Sequence, residues 1–172
     1  MPWHLRNDWA PEGALLRAQQ SIAACYGELG RKADGLELER HIYKRMVTLK
    51  GIDEMIDDTT TLISGTCLAM SLVECERWVE AKALTRKLIP AARRTLGRDH
   101  ECTLKLGSSL SKALCRDAGS SLSELRKAVS ITEEGSRRAR RVYGDEHPDT
   151  MVLFADLQEA RATLARRTPS PP

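Results

Sequence analysis

Residues 143–150 read YGDEHPDT, and residues 96–100 read LGRDH, so a glycine followed by acidic residues and a histidine occurs twice. The two glycines, Gly97 and Gly144, lie 47 residues apart. A glycine suits the residue after a helix, and early acids suit the positive end of the next helix. Pro148 suits a first helical turn, where its missing N–H costs nothing. Each segment therefore predicts a junction between two helices.

The same register extends upstream to Gly51 and along the intervening helices. Small residues align at Gly35, Ala81 and Ala128, as expected where two helices cross closely. The preceding helices share three columns that are apolar except at Arg161 in the last copy: Leu16, Leu62, Leu104 and Met151; Ile22, Leu68, Leu110 and Leu157; Tyr26, Leu72, Leu114 and Arg161. One step between these helices is 42 residues, so the loop around Asp117–Ser121 is predicted to carry about five extra residues.

These repeats predict an all-α fold, a right-handed α-solenoid of three antiparallel helix pairs and a C-terminal capping helix. Helices are expected near 12–28, 31–50, 58–75, 77–96, 100–116, 121–143 and 147–166. The repeat domain would span residues 12–166, between an N-terminal extension (1–11) and a disordered Pro/Ser tail (167–172). The apolar columns should be buried and Arg161 exposed. Pro90 predicts a kink or a break just before it.

Composition points to a soluble helical domain in a reducing compartment. The chain of 172 residues has a net charge of +3 and only 4% aromatic residues, and no apolar run approaches the roughly 20 residues that span a bilayer. Its five cysteines are odd in number and form no CxxC pair, which argues against a secreted disulfide framework. We expect a cytoplasmic protein, with a nuclear location as the alternative, and no membrane partner.

No catalytic or metal-binding motif stands out. The four histidines lack the spacing of HExxH or Cys/His zinc sites, and no GxSxG or phosphate-binding glycine loop occurs. His100 and His147 occupy the same junction position, so helix capping explains both. The sequence therefore predicts no enzyme activity, no catalytic residue, no metal and no cofactor.

The junction motifs resemble tetratricopeptide repeats, particularly the longer repeats of kinesin light chains. Residues 26–31 match the family's Tyr-x-x-x-Gly helix end, and residues 96–100 and 143–150 match its Leu-Gly-x-x-His-Pro-x-Thr linker. A more remote resemblance, to the helical C-terminal region of MYND-type lysine methyltransferases, suggests the regulatory portion of a larger enzyme as an alternative.

The resemblance to tetratricopeptide repeats implies a protein–protein interaction module, a scaffold or adaptor that holds a peptide on its concave face. The positions carried over by the alignment are Arg17, Gln20 and Glu28 in the first unit, Ile63, Thr66, Met70 and Glu74 in the second, and Lys105, Ser108, Lys112 and Arg116 in the third. The three cations of the third unit favour an acidic ligand segment, and Ile63 and Met70 beside them favour one large apolar anchor on it.

The basic run Arg137–Arg141 supports a different function, association with nucleic acid or nuclear targeting. The competing interpretation is structural, because cations near a helix C-terminus are stabilised by the helix dipole. Arg140 and Arg141 align with Arg93 and Arg94 of the preceding unit, and no aromatic residue is interleaved with them. Recurrence in each repeat favours the structural interpretation.

Overall fold

The computed structural model describes residues 10–50 and 59–168, apart from the side chains of residues 10–14, 17, 49 and 50. This part of the chain forms seven helices and no strand: α1 (Ala10–Glu28), α2 (Lys32–Lys50), α3 (Thr59–Glu74), α4 (Trp78–Thr95), α5 (Glu101–Arg116), α6 (Leu122–Tyr143) and α7 (Pro148–Arg167). Every end lies within two residues of its predicted position. Gly51 lies outside the described residues, as do residues 1–9 and 169–172. The predicted N-terminal extension and the predicted Pro/Ser tail therefore stay predictions.

The helix junctions form as their sequences predict. Gly30, Gly97 and Gly144 adopt φ angles of 74°, 91° and 87°, in the left-handed region that favours glycine. His100 and His147 are the N-caps of α5 and α7, and each ring Nδ1 accepts a hydrogen bond from the backbone N–H two residues later, at 3.2 Å. Both histidines therefore satisfy backbone groups that a helix start leaves unpaired.

Successive helices pack side by side, which confirms the α-solenoid. Each helix contacts the next along the chain, and α3, α5 and α7 also contact one another in sequence. The first helices of the second to fourth units thus form one continuous face. The buried core follows these contacts, with clusters around Leu72 and Ala81, around Leu62 and Leu88, and around Leu114 and Ala128.

Small residues set the close approach of the helices. Ala81 and Ala128 are fully buried, and a Cβ on Gly35 would lie 3.1 Å from the carbonyl oxygen of Ala23 on α1. One turn further on, Thr85 and Thr132 donate their hydroxyl groups to the carbonyls of Ala81 and Ala128, at 2.6 and 2.9 Å. The predicted column of small residues is confirmed, and the second and third units form the same hydrogen bond at the same repeat position.

The five extra residues of the third unit are not all in the loop, so that prediction is wrong in part. The connection from α5 to α6, Asp117–Ser121, is five residues long, whereas that from α3 to α4, Cys75–Arg77, is three. The other three residues extend the start of α6. Ala128 lies six residues after Leu122, the first residue of α6, whereas the aligned Ala81 lies three residues after Trp78, the first residue of α4. The longer start is stabilised by a capping box between Ser121 and Glu124.

Most of the predicted columns are buried, but Ile22 and Met151 are exposed by 49% and 59%, contrary to prediction. Leu104 occupies the same column in the preceding unit, and it is buried because Ala139 of α6 and Leu153 of α7 pack against it. No described helix follows α7 to cover Met151 in the same way. Tyr26 is only half-buried.

At the outer end of the fourth unit, Arg161 is exposed as predicted, and its guanidinium lies 2.7 Å from the carboxylate of Glu133.

Pro90 does not break its helix. The helix α4 continues from Trp78 to Thr95 with Pro90 inside it, on the exposed side. The predicted break is therefore wrong, while the predicted kink stays a prediction. Pro90 has no N–H to donate to the carbonyl of Arg86, four residues earlier in the helix. Because the proline lies on the solvent side, this carbonyl can bond to water instead, which lowers the free-energy cost of the missing backbone hydrogen bond.

Glu39 is the polar exception at the helix crossings. It occupies the repeat position of Thr85 and Thr132, its side chain is 4% exposed, and its Oε2 has no hydrogen-bond partner among the described residues. Burial raises the pKa of this carboxyl to about 7. The folded chain therefore holds this proton to a higher pH than the unfolded chain does, and Glu39 reduces stability as pH rises from about 4.5 through 7.

We expect the Glu39→Gln variant to be more stable than the original chain at pH 8 and similar to it at pH 4.5. The gain at pH 8 should be about 2–3 kcal/mol, at about 1.4 kcal/mol per pKa unit. Urea unfolding of both proteins across this range measures the difference. Parallel pH curves would contradict the account, because the amide mimics only the protonated acid.

Candidate functional site

A pocket of about 230 Å³ lies between α3, α5 and α7, on the face that the first helices of the second to fourth units share. Its apolar lining is formed by Val73, Leu104 and Leu153, with Met70 and Val152 at its edge. The last two remain exposed by 38% and 47% although they adjoin buried neighbours. Charged side chains surround this lining: Glu74, Glu101, Lys105, Lys112 and Asp149.

Four predicted site residues line this pocket: Met70, Lys105, Ser108 and Lys112. Glu74, which the alignment also placed on this face, lines it too. Ser108 is nevertheless 7% exposed, and its hydroxyl is hydrogen-bonded to the carboxylate of Asp156. It is therefore part of the packing between α5 and α7 and offers little to a ligand.

The other predicted residues do not line the pocket. Thr66 is 3% exposed and donates its hydroxyl to the carbonyl of Leu62 at 2.7 Å, so the helix already uses it. Ile63 is 39% exposed on α3 and Gln20 is half-buried on α1, both away from the pocket lining. Arg116 lies beyond the pocket on α5. The side chain of Arg17 lies outside the described residues.

All three cations of α5 form ion pairs with α7. Lys105 contacts Glu101 on its own helix and lies 3.7 Å from Asp149. Lys112 lies 3.2 Å from Asp156. Arg116 forms a two-pronged contact with Glu159, at 2.9 and 3.1 Å.

The pKa values reflect these pairs. Hydrogen bonding from Arg116 holds the pKa of Glu159 below its usual value. Burial raises the pKa of Asp156, although Ser108 and Lys112 both act to lower it. Each of these cations of α5 is thus engaged by a carboxylate of the described residues, so the acidic ligand stays a prediction without an unpaired cation of α5 to support it.

The contribution of α7 was missed, although the repeat register contains it. Shifting Lys105 and Lys112 by 47 residues gives Val152 and Glu159. Val152 lines the pocket and Glu159 pairs with Arg116. As a predicted capping helix, α7 was assigned no ligand-binding residue.

The basic run of α6 is largely paired within the protein. Arg138 and Arg141 both contact the carboxylate of Asp99, at 2.7 and 2.6 Å, and Arg140 contacts Asp145. Hydrogen bonding from Arg138 lowers the pKa of Asp99. These contacts fasten the end of α6 to the junction before α5, which supports the structural interpretation. Arg137 forms no ion pair with the described residues.

Comparison with known proteins agrees with this geometry. Residues 61–101, which span α3 and α4, match the family model of the tetratricopeptide repeat. The predicted resemblance to that family is confirmed. No curated protein matches the chain.

Two crystal structures share the fold with 16% sequence identity and a TM-score of 0.50. They show nearly identical TPR-like repeats of a Podosopora anserina protein described as a kinesin light chain, and a single-residue variant of it. Each match covers 90% of this chain and 89% of the other.

The described residues contain no group of three or more side chains that could hold a metal ion. None of the described helices is long and apolar enough to cross a membrane. Burial raises the pKa of the Cys67 and Cys115 thiols to about 11, which keeps both protonated at neutral pH.

We expect the two lysines of the pocket to differ in their effect on stability. Lys112→Met should destabilise the chain by about 1–3 kcal/mol, because it leaves the 6%-exposed Asp156 carboxylate without its cation. The matched variant Lys105→Met, whose partner Glu101 is 53% exposed, should cost less than about 1 kcal/mol. Urea unfolding at pH 7 measures both, and equal losses would contradict the assignment.

Proposed function

We propose that the protein is a non-catalytic interaction module that binds a peptide segment of a protein partner in the pocket between α3, α5 and α7. The observation that carries the proposal is a concave apolar surface with no described element covering it. Met70 and Val152 are exposed at its edge, directly beside the buried Leu104 and Leu153. A partner that covers them would remove apolar surface from water without any rearrangement of the helices.

The size of the pocket favours a side chain over a small molecule. At about 230 Å³ it is smaller than the roughly 300–1,000 Å³ typical of small-molecule sites. Its lining comes from three different helices, α3, α5 and α7. Such a surface suits a peptide that places one large apolar side chain in the pocket and extends along the units on either side.

The repeat architecture supports the same proposal. Tetratricopeptide repeats generally mediate contacts between proteins, and α3–α4, the matched unit, supplies Met70, Val73 and Glu74 to the pocket. We propose an adaptor or scaffold role in the cytoplasm. The prediction of an acidic ligand rested on the cations of α5, and each of these is paired with a carboxylate of the described residues.

We expect a random peptide library displayed on phage to yield ligands for the full chain, with affinities near micromolar. Replacing Met70 and Val152 together by their polar near-isosteres, Met70→Gln and Val152→Thr, should weaken the selected peptides by about tenfold or more. Two partly buried apolar contacts worth about 1 kcal/mol each account for that loss. Fluorescence anisotropy with a labelled peptide measures it.

The matched control carries the same two chemical changes outside the pocket, Met151→Gln and Val79→Thr, at side chains 59% and 72% exposed. Its affinity should equal that of the original chain. Failure to select any peptide would contradict the proposal, as would equal weakening by the pocket and control variants.

A further inference from the structure

The charges around the pocket do not balance. Five carboxylates of α3, α5 and α7 face three cations: Glu74, Glu101, Asp149, Asp156 and Glu159 against Lys105, Lys112 and Arg116. Every one of the three cations is already engaged by a carboxylate. The described part of this surface therefore has a formal charge of −2.

Glu74 carries the unmatched charge in the least favourable place. It lies in the last turn of α3, where the helix dipole favours cations, and that turn contains no basic residue. The aligned residue in the next unit is Arg116, a cation in the last turn of α5, as the helix dipole favours. Glu74 is exposed, lines the pocket and forms no ion pair with any described residue. A residue that breaks a local stability rule without compensation indicates a functional position.

We propose that the peptide bound in this pocket carries a lysine or arginine beside its apolar anchor, and that Glu74 recognises this cation. The inference rests on the proposed function and adds the sign of the ligand. A basic residue at this position gives Glu74 the partner that the fold does not supply. Carboxylates around Lys105 add to the attraction, because Glu101 and Asp149 together exceed its single charge.

An acidic segment fits the same surface poorly. To reach Lys112 or Arg116 it would have to displace Asp156 or Glu159, which are already in place at 3.2 and 2.9 Å. Asp156 is 6% exposed, so its displacement would also leave a buried carboxylate unpaired. A neutral peptide would avoid this cost but would leave Glu74 without a partner.

Selection from a random peptide library tests the sign directly. Peptides retained by the original chain but not by the Met70→Gln and Val152→Thr variant should be enriched in lysine and arginine next to their apolar residue. Enrichment of aspartate and glutamate there, or of neither sign, would overturn the inference while leaving the proposed function intact. No retention above the pocket variant would instead contradict the proposed function.

Substitution of Glu74 identifies the residue responsible. For a selected peptide labelled with a fluorophore, Glu74→Gln should weaken binding about two- to fivefold at low salt, as for other exposed ion pairs. The control Glu37→Gln removes the same charge from a glutamate that is 77% exposed on α2, and should leave affinity unchanged. Equal affinity of the Glu74→Gln variant and the original chain would overturn the assignment.

A stability measurement separates recognition from a structural role. Removing a negative charge from a helix C-terminus is favourable, so Glu74→Gln should leave the melting temperature unchanged or raise it. Weaker peptide binding together with equal or higher stability supports recognition. Weaker binding accompanied by a lower melting temperature would assign Glu74 to the fold and overturn the inference.

Discussion

The close crossing of paired helices is the constraint on which the other features depend. Ala81 and Ala128 are fully buried, and a Cβ on Gly65 would lie 2.5 Å from the buried side chain of Leu88. Thr85 and Thr132 satisfy their buried hydroxyl groups within their own helices. With the paired helices held this closely, the first helices of the second to fourth units lie on one side, where they contact one another and form the pocket.

The surface in and beside the pocket carries two kinds of charge that sequence alone cannot distinguish. Lys112 and Arg116 hold α5 to α7 through Asp156 and Glu159, so their charges belong to the stacking of the units. Glu74 has no such partner among the described residues and lies in the last turn of α3, which contains no basic residue. A cation on a concave face is therefore weak evidence for an acidic ligand until the charges of the neighbouring helix are known.

The repeat register predicted most of the fold, because it states which positions share a helix face. It predicted the small-residue column, the junction glycines and the histidine caps. It could not predict which faces lack a neighbour, so Ile22 and Met151 were expected to be buried although α1 and α7 end the described stack. It also could not predict contacts across helices, which is why Asp149 and Asp156, the partners of Lys105 and Lys112 on α7, appeared only in the structure.

The central claim is that the first helices of the units, α3, α5 and α7, together form the ligand surface. Amide hydrogen exchange of the full chain, with and without a saturating peptide selected from the random library, tests it most directly. The account predicts slower exchange confined to α3, α5 and α7, around Met70, Lys105 and Val152. Slower exchange mainly in α2, α4 and α6, or at the arginines that end α6, would contradict it.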